Sequence, residues 1–256
     1  MTKRKDVQDE SLAEIAIDLD VLAKELSIEV DDDPLEQIDE DSFSKENLDV
    51  TLECDEALKL LKGNREQRIQ GLRIFCEYRD KRSFPLLLPL LDQPCPVERM
   101  SAVYALGRNP CPSAVQKLVS LLENDDNAYV RRATSWSLAN YENQIVLNPL
   151  INSLKNDVAA VKLWSSSSLA EIGSTSSSNA QLAAEQLLIS LRIDNDPVVR
   201  SNCIWSLCRL FEKLNEHLQE SFVDECTKIA LFDKDPSVMG EAKTALDSMG
   251  MQGFYN

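Results

Sequence analysis

The sequence is poor in histidine, glycine and aromatic residues: of 256 residues, one is histidine, seven are glycine and 6% are aromatic. This argues against an all-β fold, because β-proteins need glycine at turns and aromatic residues on strands. The phosphate-binding patterns GxGxxG and GxxxxGK[ST] are missing, and so is the GxSxG of serine hydrolases. The single histidine, His217, lies in the polar stretch EKLNEHLQE, which is typical of a solvated helix. The sequence therefore predicts no catalytic residue and no metal site.

Cysteine is present, but never at the spacing of a redox or zinc motif. The seven cysteines are an odd number, and none forms a CxxC pair. This usage suits a reducing cytoplasm better than a disulfide framework. The longest apolar run, FPLLLPLL at 84–91, is far too short to cross a bilayer, and no apolar core follows the N-terminal basic residues. We therefore predict a soluble, cytoplasmic protein without a membrane span.

The negative charge of the chain is concentrated near its N terminus. The net charge is −16; residues 1–62 hold 20 acidic and 7 basic residues, whereas residues 63–256 hold 23 and 20. Nucleic acid is not predicted as a partner, because phosphate binding needs clustered lysine and arginine. The acidic segment instead favours a basic protein surface, or serves solubility alone.

One pattern of basic, small and large apolar residues occurs six times. The basic residue, here called the ladder residue, is Arg68, Arg99, Arg131, Lys162 and Arg200, with Met239 in the sixth copy. Three positions later stand the small residues Gly71, Ala102, Thr134, Ser165, Cys203 and Ala242. Seven positions later stand the large residues Phe75, Leu106, Leu138, Leu169, Leu207 and Leu246. These offsets share one side of an α-helix, so each copy predicts a helix with a buried seam.

Another helix precedes each of these helices, so the helix with the repeat pattern is the second of its pair. The breaks between them, such as LDQPCP, ENDDNA and DNDPVV, are rich in Asp, Asn and Pro, which begin helices. Apolar-periodic stretches such as AVQKLVSLLE lie before the breaks. Because one pair of short helices cannot bury its apolar face alone, the pairs must stack. We predict an all-α fold, an α-solenoid of about six helix pairs, in which the fifth copy's helix continues through CRLFEKLNEHLQ.

The repeat resembles the HEAT family and, within it, the HEAT-like repeats of phycobilin lyases. The resemblance rests on VERMSAVYALG, VRRATSWSLAN, VKLWSSSSLAEIG and VRSNCIWSLC, and it covers residues 65–250. It implies a solenoid whose second helices line a concave surface. The lyase resemblance implies a cyanobacterial phycobilisome protein that handles an open-chain tetrapyrrole on phycobiliproteins. HEAT solenoids also include partners of iron–sulfur carrier proteins, whereas the His-Glu pairs of HEAT-like hydroxylases are missing.

Aromatic, methionine and arginine residues recur one and five positions after the ladder residue, on the side of the helix away from the seam. The predicted partner-binding residues on the concave surface are Met100, Tyr104, Arg132, Trp136, Leu163 and Trp205. Tyr, Trp and Arg dominate binding hot spots, so the row favours a protein partner. The alternative is lateral packing between neighbouring helices, which is the interpretation we favour for Trp164.

The remaining cysteines and arginines have structural interpretations. Cys95 and Cys111 both stand in PCP, but an intervening helix of some ten residues separates them by about 15 Å, so one metal or disulfide cannot join them. Cys203 occupies the small-residue position of its copy. The ladder residues are predicted to pair with an acid of the preceding turn, as Arg200 with Asp196.

The chain is predicted to divide into an N-terminal region, residues 1–46, and a HEAT-like solenoid, residues 47–256. In the N-terminal region, apolar residues recur at helical spacing between Leu12 and Leu26, followed by an acidic linker. This helix would cap the first repeat, bind a partner, or compete for the concave surface. Deletion of residues 1–46 without any gain in partner affinity would contradict the last option. Phe254 and Tyr255 are assigned either to a cap or to assembly.

The sequence thus favours a non-catalytic scaffold that binds a partner protein on its concave surface and needs no cofactor. The first alternative is a phycobilin lyase or chaperone subunit. In it, the same aromatic residues stack on the pigment while carboxylates pair with its pyrrole nitrogens. The second alternative is a partner in iron–sulfur cluster delivery that uses exposed thiols of Cys95 or Cys111.

Overall fold

The computed structural model describes residues 47–141 and 144–251, and this part of the chain is helical without any strand. The helices are α1 Asn47–Leu60, α2 Arg65–Glu77, α3 Phe84–Leu87 (continued by a 3₁₀ segment, Leu88–Asp92), α4 Pro96–Arg108, α5 Val115–Asn124, α6 Ala128–Leu138, α7 Leu147–Asn156, α8 Ala159–Gly173, α9 Ser177–Ile193, α10 Pro197–Leu210, α11 Glu216–Phe232 and α12 Pro236–Ser248. They form six consecutive pairs, here called units 1 to 6. The predicted α-solenoid is confirmed.

Asparagine and aspartate side chains set where several helices begin. Asn64 and Gln67 form a capping box at α2, in which each side chain accepts the other residue's backbone N–H. Asn127 caps α6, Asp196 caps α10 and Asp235 caps α12, each by accepting backbone N–H groups of the first turn. These residues lie in the breaks that the sequence marks as helix boundaries.

The two rows of helices pack differently. Successive second helices (α2, α4, α6, α8, α10, α12) pack closely along the whole stack, whereas the first helices touch each other more sparsely. The second helices therefore form the more tightly packed row, which the HEAT-like resemblance predicts to be the concave one. All large residues of the repeat pattern are fully buried: Phe75, Leu106, Leu138, Leu169, Leu207 and Leu246. The small residues three positions after the ladder residue are buried as well.

Polar groups fill the seam between α8 and α10. The amide of Asn202 donates to the Leu163 carbonyl at 3.0 Å and to the hydroxyls of Ser166 and Ser167 at 2.6 and 2.8 Å. The buried Ser206 hydroxyl donates to the Ser166 carbonyl at 3.0 Å. Directional hydrogen bonds therefore fix the register of units 4 and 5.

One predicted element is wrong. The helix of the fifth copy does not continue through CRLFEKLNEHLQ, because α10 ends at Leu210, a 3₁₀ turn covers Phe211–Lys213, and Asn215 caps the new helix α11. The N-terminal region, residues 1–46, and the C-terminal Phe254 and Tyr255 lie outside the described residues. The boundary at residue 46 and the roles given to these segments stay predictions.

Candidate partner-binding surface on the second helices

A ladder of ion pairs holds the second helices at fixed positions. Each basic ladder residue pairs with an acid of the next unit, which lies in the turn between the two helices of that unit or in the first turn of its second helix. The N···O distances are 2.6–2.7 Å, and the pairs are Arg68–Glu98, Arg99–Asp125, Arg131–Asp157, Lys162–Asp194 and Arg200–Asp233. Arg99, Arg131 and Arg200 bind both carboxylate oxygens of their acid. Bidentate, partly buried pairs of this kind are directional as well as attractive.

The ladder residues also bind the turn of their own unit, but not through its acid. Nη1 of Arg200 donates to the carbonyls of Asp194 and Asn195, and Nη1 of Arg131 donates to those of Asp125 and Asp126. The predicted pair of Arg200 with Asp196 is therefore wrong. Asp196 caps α10 instead, and the carboxylate partner of Arg200 comes from the following unit.

Asp125 shows the electrostatic state of the ladder. Burial raises the pKa of this carboxyl group, but hydrogen bonds from Arg99 and from the Asn127 backbone N–H, with the charges of Arg99 and Arg131, outweigh burial. The pKa of Asp125 consequently lies below its usual range, and the pKa of Arg99 is raised by the same pair. Both groups are charged at neutral pH, so the ladder is a set of formed ion pairs.

The predicted partner-binding residues are distributed between exposed and half-buried positions. Met100, Tyr104, Arg132, Trp136 and Leu163 are half-buried, and Trp205 is 39% exposed. We use "concave surface" for these residues together with the neighbouring outward residues of α4, α6, α8 and α10, which are Val97, Arg108, Tyr129, Trp164, Val198 and Arg209. Whether a partner binds here stays a prediction.

Trp136 brings units 2 and 3 together on this surface. Its ring lies 5.3 Å from the Tyr104 ring in a tilted arrangement, and the Arg108 guanidinium lies 5.8 Å from its centroid. A Cβ added at Gly107 would lie 2.4 Å from Trp136 Cζ3, so the ring covers the glycine backbone closely. The half-buried ring thus contributes to lateral packing and is also partly accessible. Lateral packing and surface exposure, the two interpretations given for the residues five positions after the ladder residue, therefore both apply to Trp136.

Arg132 and Tyr129 extend the cluster along α6. The Arg132 guanidinium lies 5.8 Å from the Tyr129 ring, and this ring is 64% exposed. Nε of Arg132 is buried and has no hydrogen-bond partner among the described residues. A buried N–H without an acceptor costs about 1–3 kcal/mol, so Arg132 is incompletely satisfied in the free protein.

Trp205 forms a second aromatic position in unit 5. The Arg209 guanidinium lies 4.9 Å from its ring centroid, and Arg209 also pairs with Glu171 of unit 4 at 2.7 Å. The tryptophan ring is thereby covered on one side by Arg209, which Glu171 of α8 holds in place, while more than a third of the residue stays accessible. A ring fixed in this way loses little conformational entropy when a partner covers it.

Sequence reasoning missed several residues of the concave surface. Tyr129, Val97 and Val198 lie two positions before their ladder residues, and Arg108 and Arg209 lie nine positions after theirs. These two columns are eleven positions apart, or three helical turns, and so they share a face. The signal was available in the repeat alignment. Eight positions after the ladder residue, Gly107 and Ala170 are buried and add nothing to the surface.

The two PCP cysteines differ from each other. Cys111 is buried with its Sγ 2.8 Å from the Ser113 hydroxyl, whereas Cys95 is half-buried with the Arg65 guanidinium 2.9 Å from its Sγ. The backbone N–H of Glu98, with that of Val97 and the charge of Arg65, lowers the pKa of Cys95 despite partial burial. The iron–sulfur alternative uses an exposed thiol of Cys95 or Cys111, and the burial of Cys111 leaves Cys95 for this role. Cys203 is fully buried, as its packing role predicts.

The described residues contain neither a metal-binding cluster nor a helix that could cross a membrane. Within 47–141 and 144–251, no group of three or more His, Cys, Asp or Glu side chains is arranged to hold a metal ion. In the same part of the chain, no helix combines the length and the apolar character needed to cross a membrane.

The fold and the surface define a class of protein: an α-solenoid repeat protein whose second helices present aromatic and arginine side chains. The profile of HEAT repeats matches residues 55–139 and 115–208, which together span more than half of the chain. The chain belongs to the HEAT repeat family. No curated protein sequence matches it.

Solved structures of engineered repeat proteins are similar in fold. An engineered protein is 19% identical with a TM-score of 0.54, over 78% of this chain and 97% of that chain. A designed armadillo repeat protein is 18% identical with a TM-score of 0.52, over 78% of this chain and 99% of its own. Another, in complex with the peptide (KR)4, is 19% identical with a TM-score of 0.50, over 84% and 96%. At these identities the likeness concerns the fold alone.

Proposed function

We propose that the chain is a non-catalytic scaffold that binds a peptide segment of a partner protein on its concave surface. The observation that carries this proposal is the row of partly exposed aromatic rings, each close to an arginine, on helices fixed by the ion-pair ladder. Tyr, Trp and Arg are the residue types enriched at binding hot spots. A rigid array of them lowers the ordering cost of association.

The repeat architecture supports a peptide-like partner. Second helices that stack about 8–10 Å apart present four units over roughly 30 Å, and an extended chain of about nine residues spans that distance. A designed armadillo repeat protein of similar fold has been solved with the peptide (KR)4. From that structure we take only the kind of partner, a peptide.

A peptide-display selection on the full chain tests the proposal. Random peptides of about twelve residues are selected for binding, and their affinity is then measured by fluorescence anisotropy for chosen variants. Trp205→Ala and Tyr129→Ala remove exposed rings from the concave surface. Each is expected to weaken binding at least about tenfold, which is ordinary for an aromatic hot spot.

Leu52→Ala and Leu182→Ala provide the matched control. Both leucines are exposed, at 60% and 46%, but they lie on the first helices α1 and α9. They remove apolar surface from the opposite row, so peptide affinity should not change. If no peptide is selected, or if the selected peptides depend on the leucines and not on the two aromatic residues, the proposal is wrong.

The second candidate is a phycobilin lyase or chaperone subunit. The observation that favours it is the pair of aromatic positions, Tyr104–Trp136 and Trp205, on which an open-chain tetrapyrrole can stack, with Glu171 near the latter. Titration with phycocyanobilin, followed by tryptophan quenching and pigment absorbance, tests it. Saturable quenching that Trp136→Ala and Trp205→Ala abolish would support pigment binding. If no saturable change occurs up to tens of micromolar pigment, pigment binding is rejected and the protein-partner proposal stands without this competitor.

Partnership with an iron–sulfur carrier protein is the third candidate, and its only accessible PCP thiol is Cys95. Substitution Cys95→Ser should then abolish complex formation with a loaded carrier protein, whereas Cys111→Ser should not. Unchanged association of the Cys95 variant would reject this role.

A further inference from the structure

The concave surface differs in charge from the chain that carries it. The whole chain has a net charge of −16. On the outward sides of α4 and α6, the charged residues other than the ladder are Arg108 and Arg132. Helix α6 contains no acidic residue, and the one acid of α4, Glu98, is buried against Arg68. The half of the concave surface on α4 and α6 is therefore positive on a negative protein.

These two arginines are not neutralised within the described part of the chain. Arg108 lies over the Trp136 ring and Arg132 over the Tyr129 ring, and neither has a carboxylate oxygen within 4 Å among residues 47–141 and 144–251. Aromatic rings orient a guanidinium group but leave its net charge unchanged. The guanidinium groups consequently retain the capacity to bind a carboxylate in the bidentate manner.

Arg132 has the clearest need for such a partner. Its Nε–H lacks an acceptor and is buried, which is unusual because buried donors are nearly always paired. A carboxylate bound to the accessible side of this guanidinium group would compensate its charge in a site from which water is partly excluded. Arg132 stands one position after its ladder residue, as Met100 does in unit 2 and Leu163 does in unit 4. Apolar side chains of the neighbouring units therefore flank Arg132.

The flanking units carry charges of both signs, since the exposed Glu66 and Glu77 lie on the same side of α2 as Arg73. Arg73 of unit 1, five positions after its ladder residue, is exposed and has no carboxylate partner among the described residues. In unit 5, Arg209 pairs with the partly exposed Glu171, a contact that a partner carboxylate can compete with, because exposed pairs contribute little net stability. Cations thus lie along the surface beside the aromatic rings of units 2, 3 and 5.

We propose that the concave surface binds acidic peptide segments, in which glutamate or aspartate residues alternate with apolar or aromatic anchors. The carboxylates would bind Arg108 and Arg132, and the anchors would cover Met100, Leu163 and the exposed rings. This inference rests on the proposed scaffold function and specifies the chemistry of its partner.

The composition of the peptides selected by the full chain is the first test. We expect an excess of acidic over basic residues, together with apolar or aromatic positions. The affinity of a selected peptide should fall at least about tenfold in the double variant Arg108→Gln/Arg132→Gln, which removes two charge-assisted contacts. It should also fall when NaCl is raised from about 0.05 M to about 0.5 M, because salt screens partly exposed charges.

The double variant Lys59→Gln/Lys228→Gln is the matched control. It removes the same amount of charge from exposed residues of the first helices α1 and α11. Its affinity should equal that of the parent, and circular dichroism and the denaturation midpoint of all variants verify folding. Charge reversal, Arg108→Glu/Arg132→Glu, is expected to shift the selection toward basic peptides.

The two proposals fail in different ways. Selected peptides that depend on Trp205 and Tyr129 but are neutral or basic would overturn the acidic partner and keep the scaffold. Acidic peptides whose affinity is unchanged by Arg108→Gln/Arg132→Gln would overturn it as well. Absence of any peptide that depends on the two aromatic residues would overturn the scaffold function, and the acidic partner with it.

Discussion

Units 2 and 3 and units 4 and 5 join by different chemistry, although the same repeat builds both seams. Between α4 and α6, the Trp136 ring covers the backbone of Gly107 and contacts Tyr104. Between α8 and α10, the amide of Asn202 hydrogen-bonds to the Leu163 carbonyl and to serine hydroxyls. The repeat therefore fixes the positions of the helices, while the residues outside the repeat pattern decide whether a seam is apolar or polar. Only the apolar seam also builds the positive surface.

The largest expected effect concerns the ladder, which both seams share. Arg200 and Asp233 are only 5% and 10% exposed in their side chains, so Arg200→Met leaves a buried carboxylate without its cation. Loss of one partner of a buried pair costs about 3–5 kcal/mol of unfolding free energy. Chemical denaturation measures it. Arg192→Met, in the more exposed pair with Glu225, should cost less than about 1 kcal/mol; equal costs would refute the structural importance of the ladder.

Gly107→Ala is expected to strain the apolar seam. The added Cβ would lie 2.4 Å from Trp136 Cζ3, so the ring has to move away from Tyr104. Overpacking of this kind costs about 1–3 kcal/mol, and a shift of the tryptophan emission should accompany the lower denaturation midpoint. Gly240→Ala is the control, because no heavy atom lies within 4 Å of the added Cβ, and a helical alanine should be neutral or stabilising. A Gly107 variant with unchanged emission would contradict the close packing.

Asn202→Ala is expected to weaken the polar seam by about 1–2 kcal/mol. The substitution leaves the hydroxyls of Ser166 and Ser167 and the carbonyl of Leu163 without their shared donor. Asn140→Ala serves as the comparison, since the Asn140 amide is exposed and its bonds are long, at 3.4 and 3.5 Å. If the two variants had the same denaturation midpoint, the seam between units 4 and 5 would owe its stability to apolar packing instead.

Acid should weaken the ladder through Asp125. The pKa of this group is lowered in the folded protein, so its contribution to stability is present above the unfolded pKa, about 3.9, and is lost as the pH falls through the folded value. Asp125→Asn should therefore flatten the dependence of unfolding free energy on pH below about 4. The exposed neighbour Asp126 provides the control variant, Asp126→Asn. An acid limb of the same slope in both variants would contradict this role for Asp125.

The smallest expected effect is a difference in the rate of chemical labelling between two cysteines, without a change in stability. The two cysteines lie near opposite ends of the stack. The backbone N–H of Glu98 and the charge of Arg65 lower the pKa of Cys95, whereas burial raises the pKa of Cys208 to about 11. Iodoacetamide should therefore label Cys95 first, and at a lower pH than a free thiol. Mass spectrometry of the alkylated peptides measures the order. Faster labelling of Cys208 would show that the seam between α10 and α12 opens.

The comparison also shows which features the sequence could predict. The ladder residues and the buried Leu106 and Leu138 recur at fixed offsets, so periodicity alone predicts the helix pairs and their core. The ladder's acid partner was wrongly assigned, because Asp residues stand in the turns of successive units and only the stacking of units brings Asp233, 33 positions away, to Arg200. The role of Tyr129 was not predicted, because the prediction rested on the residues one and five positions after the ladder residue, whereas Tyr129 stands two positions before it.

The seams themselves were beyond sequence reasoning. Trp136 covers Gly107, and Asn202 reaches Leu163, across about 30 to 40 residues of chain. Such contacts depend on the rotation of one unit against the next, which no local pattern encodes. The chemistry expected of Cys111 failed for the same reason, since tertiary packing buries it.

The ion-pair ladder makes the inner units interchangeable. Each unit from the third to the fifth carries, between its two helices, an acid for the unit before it, and soon afterwards a cation for the unit after it, as Asp125 and Arg131 do in unit 3. Duplication or loss of one whole unit therefore leaves every remaining charge with a partner. A break between the acid and the cation of one unit leaves a charge without its partner. Such a chain can lengthen or shorten by complete repeats while each inner surface changes its side chains independently.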